Sequence, residues 1–186
     1  MRHESWYGYV YPKSVTLFAR KKIITPSIAK VASFTLDTKG ELYFVGSGGG
    51  GGGGYGIILD AECSVSYEYV LGLLNSRLLD NLLRQVSSPF ANGYFAYNRQ
   101  YIEQLPIRTI DFNDPADKAR HDRMVALVEQ MLELHKRLHA TDSERDHELI
   151  QRQIDATDAQ IDALVYELYG LSAEEIKIIE EAARRN

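Results

Sequence analysis

The segment Gly46-Ser-Gly-Gly-Gly-Gly-Gly-Gly-Gly-Tyr-Gly56 is the first place where residue type and spacing could do chemistry. Seven successive glycines let a backbone approach a partner without side-chain obstruction, at a high entropic cost of ordering. A phosphate cradle is the chemistry to test. The run satisfies Gly-x-Gly-x-x-Gly trivially, but no Lys-Ser or Lys-Thr follows to reach phosphate and magnesium. The next residues, Ile57-Ile-Leu59, favour a strand, so no helix N-terminus stands ready for a pyrophosphate. A connector between two strands and a loop that orders against a ligand both fit the composition.

Metal and nucleophile chemistry find less support. His121, His135, His139 and His147 all fall in the second half, and His135 and His139 share a helix face. Lys136, Arg137 and Leu138 lie between them, without the glutamate of a zincin, and no third ligand stands out. These are expected to be solvated or seam-edge histidines. The single cysteine, Cys63, has no motif partner and reads as a small core or sheet-edge residue. A Gly-x-Ser-x-Gly elbow, an Asn/Asp-Pro-Pro-Tyr/Phe methyltransferase motif and the Pro-Asp…Asp/Glu-x-Lys pattern of a nuclease are missing from the sequence. Neither a catalytic centre nor a resident metal or cofactor is expected in this chain.

A recognition surface remains. Ten of the 12 tyrosines precede residue 102, and Lys13, Arg20, Lys21, Lys22 and Lys30 lie among them. Cations of this kind set register on phosphates, and polar or aromatic side chains on loops read base edges. Candidates for positioning are those five basic residues. Candidates for the reading face are Ser47, Tyr55, Asn92, Tyr94, Asn98 and Arg99.

These residues need elements to hold them. Lys22-Ile-Ile-Thr25 is a short β-prone run stopped by Pro26. Ser33-Phe-Thr-Leu36 alternates, Asp37-Thr-Lys-Gly40 supplies a turn, and Glu41-Leu-Tyr-Phe-Val45 completes an expected hairpin. Tyr55 to Leu59 is a further strand. Ser66 to Gln85 reads as one helix, with Val70, Leu74, Leu78 and Leu82 on one face. Asn92-Gly93 is a turn, Tyr94 to Tyr97 a short strand, and Asn98 to Gln104 a helical turn or two. From about Asp117, Met124, Val128, Met131, Leu134 or His135, and Leu138 follow three-four spacing, and Ile150, Ile154, Thr157, Ile161, Leu164 and Leu168 repeat it. Two antiparallel helices pairing through that seam are expected, with Thr141 or Ser143 capping the second and Gly170 ending it. Ser172-Ala-Glu-Glu175 then opens a short last helix through a capping box. The fold class is α+β: a mixed recognition domain over residues 1–110, then an antiparallel two-helix, coiled-coil-like spacer and a short helix over 111–186.

Charge follows the same division. The chain of 186 residues carries a net charge of -5, which on its face argues against a simple basic nucleic-acid binder. Residues 1–110 hold 11 Lys/Arg against 8 Asp/Glu, whereas 111–186 hold 10 against 18. The positive half bears the candidate face, and the acidic helices would be kept off phosphate. No run of about 18 apolar residues spans a membrane, and Met1 to Tyr7 lacks the apolar core of a signal peptide. A cytoplasmic protein without a membrane partner is expected.

The order of segments resembles a known family. Trp6-Tyr7, Lys22-Ile-Ile-Thr-Pro26, Ser33-Phe-Thr-Leu-Asp37, Gly53-Gly-Tyr-Gly-Ile57, Leu73-Leu-Asn-Ser76 and Tyr101-Ile-Glu-Gln-Leu-Pro-Ile107 occur in that sequence. The tail Val165-Tyr-Glu-Leu-Tyr-Gly-Leu-Ser172, with Glu174-Glu-Ile176, adds to it. The whole resembles the TaqI-like C-terminal specificity domain of type IIG restriction-modification enzymes and related adenine-specific DNA methyltransferases. The resemblance implies a module that reads double-stranded DNA, followed by a helical spacer, as in half of a type I specificity subunit. It implies methyltransferase and nuclease modules as partners, with S-adenosylmethionine in the methyltransferase rather than here. The chain would then be a C-terminal piece of a longer enzyme or a separate specificity fragment. The alternative is a helical protein–protein interaction module, working through residues 117–169 without DNA specificity of its own.

Overall fold

The computed structural model describes residues 15–44 and 53–184. A short helix α1 (Val15–Phe18) leads into strands β1 (Lys22–Pro26), β2 (Ile28–Ala29), β3 (Thr35–Asp37) and β4 (Gly54–Ile57). Helices α2 (Tyr67–Asn75) and α3 (Arg77–Val86) follow, then β5 (Phe95–Ala96) and the single turn α4 (Arg99–Ile102). Three longer helices finish the chain: α5 (Pro115–Ala140), α6 (Glu144–Tyr169) and α7 (Ala173–Arg184). The α+β class is as expected from the sequence. Among the described residues no helix is long and apolar enough to cross a membrane.

Strand β1 lies between β3 and β4, antiparallel to both, with Ile23 opposite Leu36 and Ile57. This corrects the expected hairpin. The strand ending at Asp37 pairs backwards with β1, and residues 41–44 form no strand. The reason lies in one carboxylate. Asp37 accepts the backbone N–H groups of Gly40 (2.8 Å), Glu41 (3.1 Å) and Leu42 (3.0 Å), so a side chain uses the donors a ladder would need. Gly40 has φ +70°, and a Cβ there would come 2.3 Å from the Ala19 backbone. Only glycine fits that close approach.

The expected helix over 66–85 is two helices. Ser76 leaves the helical region at ψ 151° and caps α3 by accepting the Leu79 N–H at 3.3 Å. Caps elsewhere follow the local chemistry. Asp114 and Pro115 start α5, Ser143 accepts the Asp146 N–H at the start of α6, and Gly170 ends α6 in the left-handed region. Ser172 and Glu175 exchange the bonds of a capping box, 2.8 Å and 3.3 Å.

Arg120 on α5 reaches Glu167 on α6, while Gln130 reaches Thr157, so the two long helices run antiparallel. One apolar core runs from Ile23 to Ile179 and includes Tyr69, Leu73, Met124, Val128, Leu164 and Val165. Beyond it, Leu134, Ile150 and Ile154 form a separate cluster in which α5 and α6 pack on each other. At about 1.5 Å per residue, these 26-residue helices project well past the core. Cys63 is exposed, not a core or sheet-edge residue, because it sits in the turn closed by its own N–H to Asp60 O at 3.0 Å.

Arg77, at the start of α3, ties that helix to α6 and α7. Its guanidinium lies 2.9 Å from Glu180, 3.4 Å from Asp158 and 3.2 Å from Asp162. Its backbone N–H donates to Asp162 at 2.9 Å, and Tyr166 donates to Glu180 at 2.7 Å. Burial raises the Asp162 carboxyl, with Asp158 and Glu180 adding repulsion; the Arg77 contacts offset part of this, leaving it at about 7. A carboxyl raised in the fold contributes its stability below the unfolded value near 4 and loses it as pH climbs to 7. Urea midpoints should therefore fall across pH 4 to 7 more steeply in the wild-type chain than in Asp162→Asn.

Candidate nucleic-acid interface

Strands β2 and β5 form a second, two-stranded antiparallel sheet, with Ile28 opposite Ala96 and Ala29 opposite Phe95. The pairing carries Lys30 beside Tyr94: the ammonium lies 5.3 Å from the ring centroid, within cation–π range. The ribbon is held from below. Asp80 accepts the Ala32 N–H at 2.9 Å and the Tyr97 hydroxyl, and pairs with Arg84 at 3.0 Å. Arg84 lies over the Phe95 ring at 5.2 Å and donates to the Lys30 carbonyl. Asn75 clamps the Phe34 backbone in both directions, at 2.9 Å and 3.0 Å. Burial, with the Asp80 charge beside it, pushes the Tyr97 hydroxyl far above its ordinary value, so it stays a donor.

Before β5 the chain makes a tight exposed loop. The Phe90 N–H donates to Tyr94 O at 2.7 Å, Pro89 bridges to Phe95, and the Ala96 N–H donates to Ser88 O at 3.1 Å. Asn92 (φ 63°) and Gly93 (φ 75°) are both left-handed, the conformation Asn and Gly adopt most readily. Asn92 and Tyr94 are exposed on this loop. The fold thus unites three sequence candidates: Lys30, Asn92 and Tyr94.

Other candidates lie elsewhere. Asn98 and Arg99 follow the far end of β5, where Arg99 is exposed and pairs with Glu103 at 3.1 Å. Tyr55 is half-buried on β4 opposite Thr25. Arg20 is exposed at the start of β1. Lys21 pairs with Glu68 at 2.8 Å and sits 4.9 Å from the Tyr67 ring centroid. Lys13 and Ser47 fall outside the described residues.

Lys22 is a correction. Only 2% exposed, it is locked between the Asp37 carboxylate and the Phe18 carbonyl, so its charge is spent inside the protein. A cation held there cannot meet a phosphate. The sequence reading also missed Arg84 and Phe90. Arg84 sits one turn after Asp80, an i,i+4 ion-pair spacing visible in the sequence; nothing local marks Phe90 as exposed.

His121 departs from the expected solvated or seam-edge placement, and the other three histidines of the second half are solvated as expected. His121 is buried between Tyr69 and Phe112 and accepts the Ser66 N–H at 3.4 Å, while His135, His139 and His147 are exposed. Among the described residues no group of three or more His, Cys, Asp or Glu side chains is arranged to hold a metal.

Comparison with known proteins bears directly on this site. The profile of the TaqI-like C-terminal specificity domain matches residues 4–107, the part that carries both sheets, α2, α3 and the exposed loop. A type II restriction enzyme and methyltransferase of Escherichia coli, RM.Eco57I, is 26% identical over 168 residues. The alignment covers 89% of this chain but only 16% of that protein. With more than half of its length matched in this way, the chain belongs to the TaqI-like C-terminal specificity domain family.

Proposed function

We propose that this chain is the sequence-reading module of a restriction-modification enzyme, binding double-stranded DNA and directing separate methyltransferase and nuclease parts to their site. The carrying observation is the β2–β5 ribbon, where Lys30, Asn92 and Tyr94 meet on an exposed loop within the family-matched segment. Lys30 would contact phosphate, Asn92 and Tyr94 would face bases, and Asn98 and Arg99 would extend the contact along the groove. Arg20 and Lys21 stand near the start of β1 as secondary phosphate contacts, with Tyr55 on the adjoining sheet. Chemistry, and the S-adenosylmethionine it consumes, belong to the partner domains, working in the cytoplasm.

The paired helices fit a spacer. Among the described residues their tip has its own cluster of Leu134, Ile150 and Ile154, apart from the main core, so a partner domain can hold it with little disturbance of that core.

Selection from randomised duplex DNA, with the chain joined to its methyltransferase, tests the proposal. An enriched sequence is expected, and an unenriched pool at low salt overturns it. Lys30→Ala should weaken binding about uniformly across sequences and reduce the slope of log K against log salt by roughly one. Salt titration of the variant beside wild type reads this directly.

A further inference from the structure

The tight loop before β5 carries more exposed apolar surface than a reading loop needs. Phe90 is 49% exposed and Tyr94 38%, and Phe90 is absent from the side chains packed on the core. They flank the loop as a cross-strand pair, joined by the Phe90 N–H to Tyr94 O bond, so both side chains leave the same face of the ribbon. Single exposed apolar residues are ordinary, but two large aromatic side chains left exposed on one tight loop mark a contact surface.

Charge selects the partner. Residues 26–36 and 85–102 contain no aspartate or glutamate; Arg99 is met by Glu103 just beyond them, which leaves Lys30 as the cation beside the loop. The nearest supporting carboxylate, Asp80, is taken up by Arg84, Tyr97 and the Ala32 N–H. An aromatic pair with the Lys30 ammonium beside it suits a polyanion that offers flat apolar faces. Nucleic-acid bases have that chemistry.

We infer that Phe90 and Tyr94 form a wedge that enters a base step of the bound duplex and stacks against the bases it parts, with Lys30 neutralising the adjacent phosphate. This rests on the DNA-reading proposal and adds a distortion of the duplex to it. Proteins that insert an apolar side chain between base steps unstack them and kink the helix. The left-handed Asn92 and Gly93 hold the loop in a single compact turn, so little order need be gained on insertion.

The test uses the full chain and a duplex recovered by selection, with 2-aminopurine placed at each adenine in turn. Wild-type protein should raise the fluorescence at one step, where stacking is lost. Phe90→Ala should abolish the rise and weaken binding roughly ten- to hundredfold, in line with the loss of one stacked aromatic. Its salt slope should match wild type, because no phosphate contact is removed. Phe90→Trp should restore the signal, and equal thermal midpoints for all variants show that the fold is intact. A flat fluorescence profile with selected DNA bound overturns the wedge and leaves DNA reading standing. Failure to select any duplex overturns DNA reading itself. If Phe90→Ala leaves fluorescence and affinity unchanged but weakens association with the methyltransferase, the patch is a protein contact and the wedge is wrong.

Discussion

Asp37→Ala should destabilise the fold by about 3–5 kcal/mol, the cost of leaving one member of a buried ion pair uncompensated. The side chain serves four donors: the Lys22 ammonium and the backbone N–H groups of Gly40, Glu41 and Leu42. Removing it strands a cation that is 2% exposed and opens the loop that replaces the expected hairpin. Lys22→Met should cost less, because Asp37 keeps its three backbone donors. Acid should act on the same group. Burial alone would raise Asp37, but the Lys22 hydrogen bond and the Leu42 and Glu41 N–H groups outweigh it and hold the carboxyl at about 2. A carboxyl depressed in this way contributes stability above its unfolded value near 4 and loses it as pH falls towards 2. Urea denaturation of both variants, repeated from pH 5 to 2, measures both effects. An Asp37→Ala chain within 1 kcal/mol of wild type at neutral pH contradicts the assignment.

Gly72→Leu should be the other severe substitution, and it acts where α2 packs on α5. Gly72 faces α5 from α2, and a Cβ there would lie 2.5 Å from Met124 Sδ and 2.9 Å from Val128 Cγ2. Met124 is fully buried and Val128 is stiff at its β-branch, so neither can yield freely. Overpacking of this kind costs about 1–3 kcal/mol or more. Gly72→Ala already sets that Cβ against Met124 and Val128, and the gain of about 1 kcal/mol in helix propensity offsets only part of the cost. The expected order of thermal midpoints is wild type highest, Gly72→Ala below it and Gly72→Leu lowest. Equal midpoints for all three would mean that α2 and α5 do not meet at this residue.

The long helices were legible because their information is local. A repeating apolar seam, Ser143 before α6, Gly170 after it and the Ser172–Glu175 box each act within a few residues. The β part was only partly so. β1, β3, β4 and β5 were visible as β-prone runs and β2 was not, and the partner of β3 depends on Asp37 meeting Lys22, a contact between separated segments that no turn signal encodes. The break at Ser76 escaped for a related reason. Its neighbours Leu74 and Leu78 continue the apolar face while the serine hydroxyl caps the next helix.

The candidate site shows the same limit. Residue types pointed to Lys30, Asn92 and Tyr94, but only the pairing of β2 with β5 unites them. Lys22 resembled its basic neighbours, and its burial follows from lying in the central strand with a carboxylate opposite. Phe90 read as one more apolar residue beside a proline. Its exposure comes from a loop whose backbone closes on itself.

The central claim is that the β2–β5 ribbon reads DNA while the helical tip does not. Selection on randomised duplexes should be run side by side with Lys30→Ala/Tyr94→Ala and with Lys136→Ala/Arg137→Ala, which changes exposed cations near the end of α5. The ribbon variant should lose the enriched sequence at unchanged thermal stability, and the tip variant should select the same sequence as wild type. Retention of selection by the ribbon variant, or its loss in the tip variant alone, would contradict the claim.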